Sequence, residues 1–255
     1  MDEIHQALAR VTKVETHPGI LSIYRYDFLA IPRRLLRFVK TPICVVQPKN
    51  DEEVMGIMEV SEKFGIPIIT RGAGTSGYGG CVPLEKCIVV DMKNFSKVII
   101  QNNTALVESG AIWLDVERVA NKAGKALRVY PTSASVSTVG GWIAQDGYGI
   151  GSLKYGDIGN NVEWLEVADY EGIKLIKSDK LKYYVGAFGT TGIILRACLR
   201  LREATQIKSF AFECSFEEAL KKIEQAYHAN FKDGFHMRCE KLGDKDTLLV
   251  SYEDG

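Results

Sequence analysis

The sequence predicts a mixed α+β protein: two successive α/β units followed by the start of a third, smaller lobe. Three observations carry this reading. The apolar runs "ICVVQP", "IPIIT" and "CIVVDM" between residues 43 and 92 alternate with one amphipathic stretch, which gives the order strand, helix, strand, loop, strand. A hairpin, a helix and further strands follow from residue 97. The last fifty residues then run strand, helix, strand, strand.

In order along the chain, residues 1–40 form an N-terminal helical segment with His-Pro-Gly at 17–19 and the basic run "IPRRLLRFVK". That run reads as a solvated helix face or as a surface that docks a partner. Asn50 and Asp51 can cap the helix "DEEVMGIMEVSEKFG", in which Val54, Ile57, Met58 and Phe64 recur at helical spacing and Gly65 supplies the stop. "KVIIQNNTALVESGA" is a hairpin turning at Asn102-Asn103, and "WLDVERVANKAGKAL" is a helix ending near Gly124. Residues 130–161, rich in Gly, Ser, Thr and Tyr, are expected to be irregular, and a stretch of that length inside a domain is usually functional. "VEWLEVADYEGIKLI" gives two strands around Glu171-Gly172, and "GIILRACLRLRE" gives another.

Composition removes several function classes. Lys plus Arg equals Asp plus Glu at 32 each, so no global field gathers nucleic acid or an anionic membrane, and an anionic ligand must be held by local geometry. No run approaches the ~20 apolar residues needed to span a bilayer. The acidic start Met1-Asp2-Glu3 is unlike a signal peptide, which predicts a cytoplasmic protein, peripheral at a membrane only through a partner. Six cysteines without a CxxC pair and four histidines without HxH or HxxxH predict reduced thiols and no metal site.

Gly72, Gly74 and Gly77 in "RGAGTSG" satisfy GxGxxG directly after a strand. A dinucleotide site of the Rossmann kind needs a helix to open on that loop. Tyr78-Gly79-Gly80-Cys81-Val82-Pro83 follows instead, and glycine and proline open helices poorly. No Gly-Lys-Ser/Thr follows, so it is not a P-loop either. What remains is five glycines among residues 72–80 with Thr75 and Ser76 between them, a backbone nest for an anion assisted by Arg71, or else a glycine-rich turn without a ligand. Two further loops favour the ligand: "PTSASVSTVGG" (131–141) with "DGYGIGSLKYGD" (146–157), and "VGAFGTTGII" (185–194). One phosphate needs one such loop. A dinucleotide needs several.

Taken together, "VVQP", "IPIITRGAGTSGYGG", "VVDM", "VESGA", "PTSASVSTVGG", "YGD" and "GAFGTTGIILRACLRL" resemble the FAD-binding domain of the vanillyl-alcohol-oxidase and p-cresol-methylhydroxylase (PCMH-type) superfamily. The branch they resemble is that of glycolate oxidase and D-lactate dehydrogenase. "STVGGW" is also similar to alkyl-dihydroxyacetonephosphate synthase, another member. The resemblance implies a two-subdomain FAD-binding domain over 41–204, divided into about 41–96 and 97–204. It also implies that residues 205–255 begin an α+β cap truncated relative to full-length members.

The resemblance places the amides of Gly72, Ala73, Gly74, Thr75, Ser76 and Gly77, with Arg71, at the FAD pyrophosphate. Pro131, Thr132, Ser137, Thr138, Gly140 and Gly141 fall at the flavin and ribityl end, with Tyr155 from "YGD" and Gly192 and Ile193 from "GTTGII" completing the set. Members that bind FAD covalently carry histidine where this chain has Thr75, so binding is expected to be non-covalent. The implied activity is oxidation of a 2-hydroxy acid such as glycolate or D-lactate, with electrons passing to a partner subunit or acceptor protein. The alternatives are a non-catalytic flavin or electron-relay subunit, and a synthase-like flavoenzyme. Tyr130, Tyr148, Lys154, Tyr155 and His236 are the titratable side chains expected nearest the site. The tyrosines read first as packing groups and His236 as an exposed strand residue, so no catalytic base is expected within the chain.

Overall fold

The computed structural model describes residues 2–229, 234–242 and 245–254. The first lobe opens with helix α1 (Asp2–Ala9), the short strand β1 (Val14–Glu15) and helix α2 (Pro18–Ile23). Strand β2 (Cys44–Val46), helix α3 (Asp51–Phe64), β3 (Ile68–Arg71) and β4 (Ile88–Asp91) complete it. The sheet order is β1-β2-β4-β3, with β2, β4 and β3 parallel and β1 antiparallel on the edge. β2 and β4 are buried at every position, as befits parallel strands covered on both faces.

Helix α3 starts where Asn50 accepts a hydrogen bond from the Glu53 amide at 2.9 Å and three carboxylates occupy its first turn, at the positive end of the helix dipole. It ends on Gly65, at φ 61°. The basic run "IPRRLLRFVK" departs from the helix-face expectation. It makes turns and a single 3-10 segment at Leu36–Phe38, because Pro32 interrupts any helix entering from Phe28.

The second lobe contains β5 (Val98–Gln101), β6 (Thr104–Glu108), α4 (Trp113–Lys122), β7 (Lys125–Leu127), α5 (Val139–Ile143) and α6 (Ser152–Tyr155). It continues with β8 (Val162–Asp169), β9 (Gly172–Lys177) and the long β10 (Ile193–Glu203). Its sheet runs β5-β6-β10-β8-β9 with β7 on the far end of β10, antiparallel throughout. The β5–β6 turn holds Asn102 at φ 53°, a left-handed conformation that asparagine tolerates. Residues 130–161 are not wholly irregular: α5, α6 and a 3-10 turn at Gly159–Asn161 lie within them. Two glycines sit in α5 against their helix propensity because Val139, Trp142 and Ile143 are buried in the core and pull the segment into place.

The third lobe is β11 (Gln206–Glu213), α7 (Phe216–His228), β12 (Gly234–Leu242) and β13 (Lys245–Asp254), with strand order β11-β13-β12. Ser215 and Glu218 form a reciprocal capping box that starts α7. The lobe docks on the second through Glu253, whose carboxylate accepts from Tyr155 Oη at 2.9 Å, from Arg202 Nε at 2.9 Å and from Lys154 Nζ. Phe235 fills the space between the Tyr155 ring and the Arg202 guanidinium.

The first two lobes share one core. Ala168, Ile193 and Leu195 of the second sheet pack among Ile4, Leu8, Val54 and Ile57 of α1 and α3. At its edge Arg196 reaches across from β10 to Asp51 at the α3 N-terminus with two bonds of 2.9 and 2.7 Å, and it also bonds Glu166 at 2.9 Å. Glu108 stands 3.7 Å away. Arg196→Met removes the cation from among three carboxylates and is expected to lower unfolding stability by about 2 kcal/mol at neutral pH. Urea unfolding at pH 7 measures the deficit.

Candidate functional site

After Arg71 the backbone leaves the first sheet and runs from residue 72 to 87 without helix or strand, so its amides are not consumed by a ladder. This glycine loop faces the second lobe across a trough. The opposite wall is made by Ser109–Ile112 and by α5 with its approach. Val139 N–H donates to Ala111 O at 2.9 Å and Gly140 N–H to Ser109 O at 2.7 Å, which locks the two segments together. Trp113 pins this wall from behind, donating from Nε1 to Thr138 O and meeting the Trp142 ring edge-on at 5.1 Å. A third segment closes one end, where Phe188 N–H donates to Ala144 O at 2.7 Å.

Three pockets adjoin along the trough, with open volumes of about 620, 440 and 670 Å3, and all three share Gly72. Contiguous pockets that share Gly72 suit an extended ligand rather than one phosphate or one ring. Ser76 Oγ reaches Gln145 Oε1 at 3.0 Å and links the two walls between the first and second pockets. The trough is narrow where the lobes touch. A methyl group at Gly72 would lie 2.0 Å from Thr138 Oγ1, and one at Gly140 would lie 2.6 Å from Ser109 Cβ. Neither wall admits a side chain at those points.

Of the sixteen residues named from sequence, ten lie on the pocket walls: Gly72, Ala73, Gly74, Thr75, Ser76, Ser137, Thr138, Gly140, Gly141 and Gly192. The other six do not. Arg71 stands behind the loop, 8% exposed, with Nη1 donating to Tyr26 O at 2.9 Å and its guanidinium over the Tyr24 ring. Tyr155 is turned toward Glu253 and the third lobe. Pro131 is buried and Thr132 exposed away from the trough, Gly77 lies outside the three pockets, and Ile193 points into the core shared by the lobes.

Other wall residues carry no sequence signal that separates them from packing groups: Thr70, Cys81, Met92, Ala144, Gln145 and Phe188. Ser109 is the most informative of the residues that sequence reasoning missed. It is 3% exposed, its Oγ has no hydrogen-bond partner among the described residues, and it lines the first pocket. Thr138 Oγ1 is buried and unpartnered in the same way on the walls of the second and third. An unsatisfied buried hydroxyl costs about 1–3 kcal/mol, so two of them facing one trough mark places where a ligand completes the bonding. The motif "VESGA", a serine at a strand end before Gly-Ala, was the available clue.

The N-terminal segment also touches the glycine loop. Phe28 N–H donates to Ser76 O at 3.1 Å, and Tyr24 Oη donates to Asp91 Oδ2 at 2.7 Å. Burial and that carboxylate together push the Tyr24 phenol up to about 12. Burial likewise raises the Cys81 thiol above its ordinary value, which leaves it protonated at neutral pH. His236 is not the exposed strand residue expected: Nε2 is buried without a partner among the described residues, and burial lowers its pKa.

Two α+β lobes that share a core and clasp a long trough of glycines, amides and hydroxyls define the PCMH-type FAD-binding fold. A family described as FAD binding domain matches residues 42–175, just over half of the chain, and the chain belongs to that family. It is similar to the D-lactate dehydrogenase of Archaeoglobus fulgidus, 33% identical over 247 residues that cover 87% of this chain and 53% of that protein. It is also similar to the glycolate oxidase subunit GlcD of Bacillus subtilis, 32% identical over 192 residues, covering 70% of this chain and 40% of that one. A solved structure of an alkyldihydroxyacetonephosphate synthase superposes with a TM-score of 0.87 at 21% identity, over 99% of this chain and 56% of that chain, a likeness of fold. The chain spans about half the length of the curated relatives it matches.

The donor set fits FAD. Loop amides and hydroxyls suit a pyrophosphate and a polyol chain, and the walls of the first two pockets carry no carboxylate to repel the phosphates. The third holds Asp115, which is paired with Arg118 at 3.0 Å, and Lys93. Ser109→Ala separates binding from folding. It is expected to stabilise the FAD-free protein by about 1 kcal/mol, by deleting an unsatisfied hydroxyl, and to weaken FAD about tenfold. Urea unfolding and a flavin-fluorescence titration measure the two, and parallel changes of one sign would remove Ser109 from the binding set.

Proposed function

We propose that this chain is the FAD-holding part of an oxidoreductase that oxidises a 2-hydroxy acid such as glycolate or D-lactate and passes the electrons to a partner subunit or acceptor protein. The observation that carries the reading is the trough itself, three adjoining pockets with the unpartnered hydroxyls of Ser109 and Thr138 facing into them. Relatives named as a glycolate oxidase subunit and a D-lactate dehydrogenase support the substrate class. Bound FAD supplies the two-electron acceptor that no side chain offers.

The chain's own residues bind and orient. The amides of 72–76 hold the pyrophosphate from the first lobe, while Ser137, Thr138, Gly140 and Gly141 hold the cofactor from the second. Gly192 leaves room for it at the start of β10. Arg71 acts from behind, its buried positive charge favouring the phosphates through the loop it supports. Binding is non-covalent. Thr75 offers no flavin-linking nucleophile, and the Cys81 thiol on the wall is kept protonated by burial.

One observation favours a second reading, a flavin-binding or electron-relay chain completed by other residues. Among the described residues, Cys81 is the sole titratable side chain on the walls of the first two pockets, and no base there takes the hydroxyl proton of a 2-hydroxy acid.

Anaerobic addition of D-lactate or glycolate to the FAD-loaded chain is expected to bleach the flavin absorbance near 450 nm, a wavelength of about that value being general to oxidised flavins. Bound flavin that stays oxidised under both acids would favour the relay reading, and protein that remains colourless after refolding with FAD would sink both. On acid precipitation the flavin is expected in the supernatant. A yellow pellet would overturn the non-covalent assignment.

A further inference from the structure

We infer that residues 28–40 form a docking surface for an anionic lipid membrane. The whole chain is neutral, with 32 basic and 32 acidic residues, yet no Asp or Glu occurs between Asp27 and Asp51. Arg33, Arg34, Arg37 and Lys40 fall in that interval, and all four are exposed. Between and beside them stand exposed apolar side chains: Phe28 at 82%, with Leu35, Leu36 and Phe38. A soluble surface has no use for so dense an apolar set, and mixed cationic and apolar side chains at spacings of one or two residues are what a bilayer interface accepts.

The segment is held in place at both ends rather than left as a tail. Phe28 N–H donates to Ser76 O at 3.1 Å, and Lys40 N–H donates to Pro83 O at 2.8 Å. Between them, turns closed by Pro32 O and Arg33 O and the 3-10 segment at Leu36–Phe38 fold the backbone back on itself, so the side chains project outward. The Arg37 guanidinium lies 4.8 Å from the centre of the Phe38 ring, a pairing that puts the apolar ring beside the charge that meets a phosphate headgroup. Charge complementarity selects the occupant. The patch alternates cations with its apolar groups and carries no carboxylate from residue 28 to residue 50. A layer of phosphates over acyl chains matches both.

The test is sedimentation of the FAD-loaded full chain with vesicles of phosphatidylcholine alone or mixed with phosphatidylserine. Binding is expected to the mixed vesicles and not to the zwitterionic ones, and to be lost in ~1 M salt, where charges are screened beyond about 3 Å. Each basic residue near an anionic surface is worth about a fivefold change, so Arg33→Ala, Arg34→Ala and Arg37→Ala combined should weaken binding about a hundredfold. Leu35→Ser with Phe38→Ser should weaken it as well. None of these residues lines the trough, so flavin absorbance and thermal melting should be unchanged and serve as the check on folding. No binding to phosphatidylserine vesicles, equal binding to both kinds, or wild-type binding by the arginine variant each overturns the assignment. Failure on vesicles together with salt-sensitive binding of an acidic partner protein, lost in the arginine variant, overturns it in favour of a protein interface.

Discussion

The distance between the two lobes governs everything at the site. It is fixed away from the trough, by the core that α1 and α3 share with Ala168, Ile193 and Leu195 and by the ion pairs of Arg196 at its edge. Once that packing is set, the walls approach until backbone meets side chain. Gly72 of the first lobe sits where Thr138 of the second leaves no space for a methyl. Because the walls are this close, a ligand lying along the trough can be touched from both lobes at once. Because they are loops and helix ends, their amides remain available to it.

That constraint also explains how a neutral chain holds a polyanion. With no long-range field to draw it in, the attraction is local. The first two pockets are lined without a carboxylate, residues of the glycine loop line them, and the buried Arg71 lies beneath that loop. A helix opening on the glycine loop would have offered the same charge through its dipole, but residues 72–87 contain none. The geometry substitutes several weak donors along a length for one strong terminus, which suits a ligand longer than a single phosphate.

Much of this was readable in the chain. Buried parallel strands announce themselves as unbroken runs such as "CVV" and "IVVD". Asn50 and Gly65 bracket α3, and Gly79, Gly80 and Pro83 after "RGAGTSG" rule out a Rossmann helix. What was illegible depends on tertiary contact. Ser109 looks like any serine at a strand end, and only its burial beside a pocket without a partner gives it meaning. Tyr155 sits in a motif that suggests the cofactor, but its direction is decided by Glu253, 98 residues further along the chain. α5 forms through Trp142 and Ile143 in spite of its glycines, a case of packing overriding propensity. The N-terminal segment holds the glycine loop through the backbone amide of Phe28, a contact no side-chain pattern announces.

That hold ties the outer surface to the site. Phe28 donates its amide to Ser76 while its ring stands in solvent, and Ser76 in turn bonds Gln145 on the opposite wall. One short chain of hydrogen bonds therefore runs from the exposed basic segment, through the glycine loop, to α5 and its extension. The walls of the first two pockets, meanwhile, carry no base. The polar groups on those walls are hydroxyls, amides and one protonated thiol, groups that hold and orient a ligand. The third lobe is anchored where Glu253 gathers Tyr155, Lys154 and Arg202 into one network. A carboxylate with three donors is costly to separate from them, so this network holds the third lobe against the second.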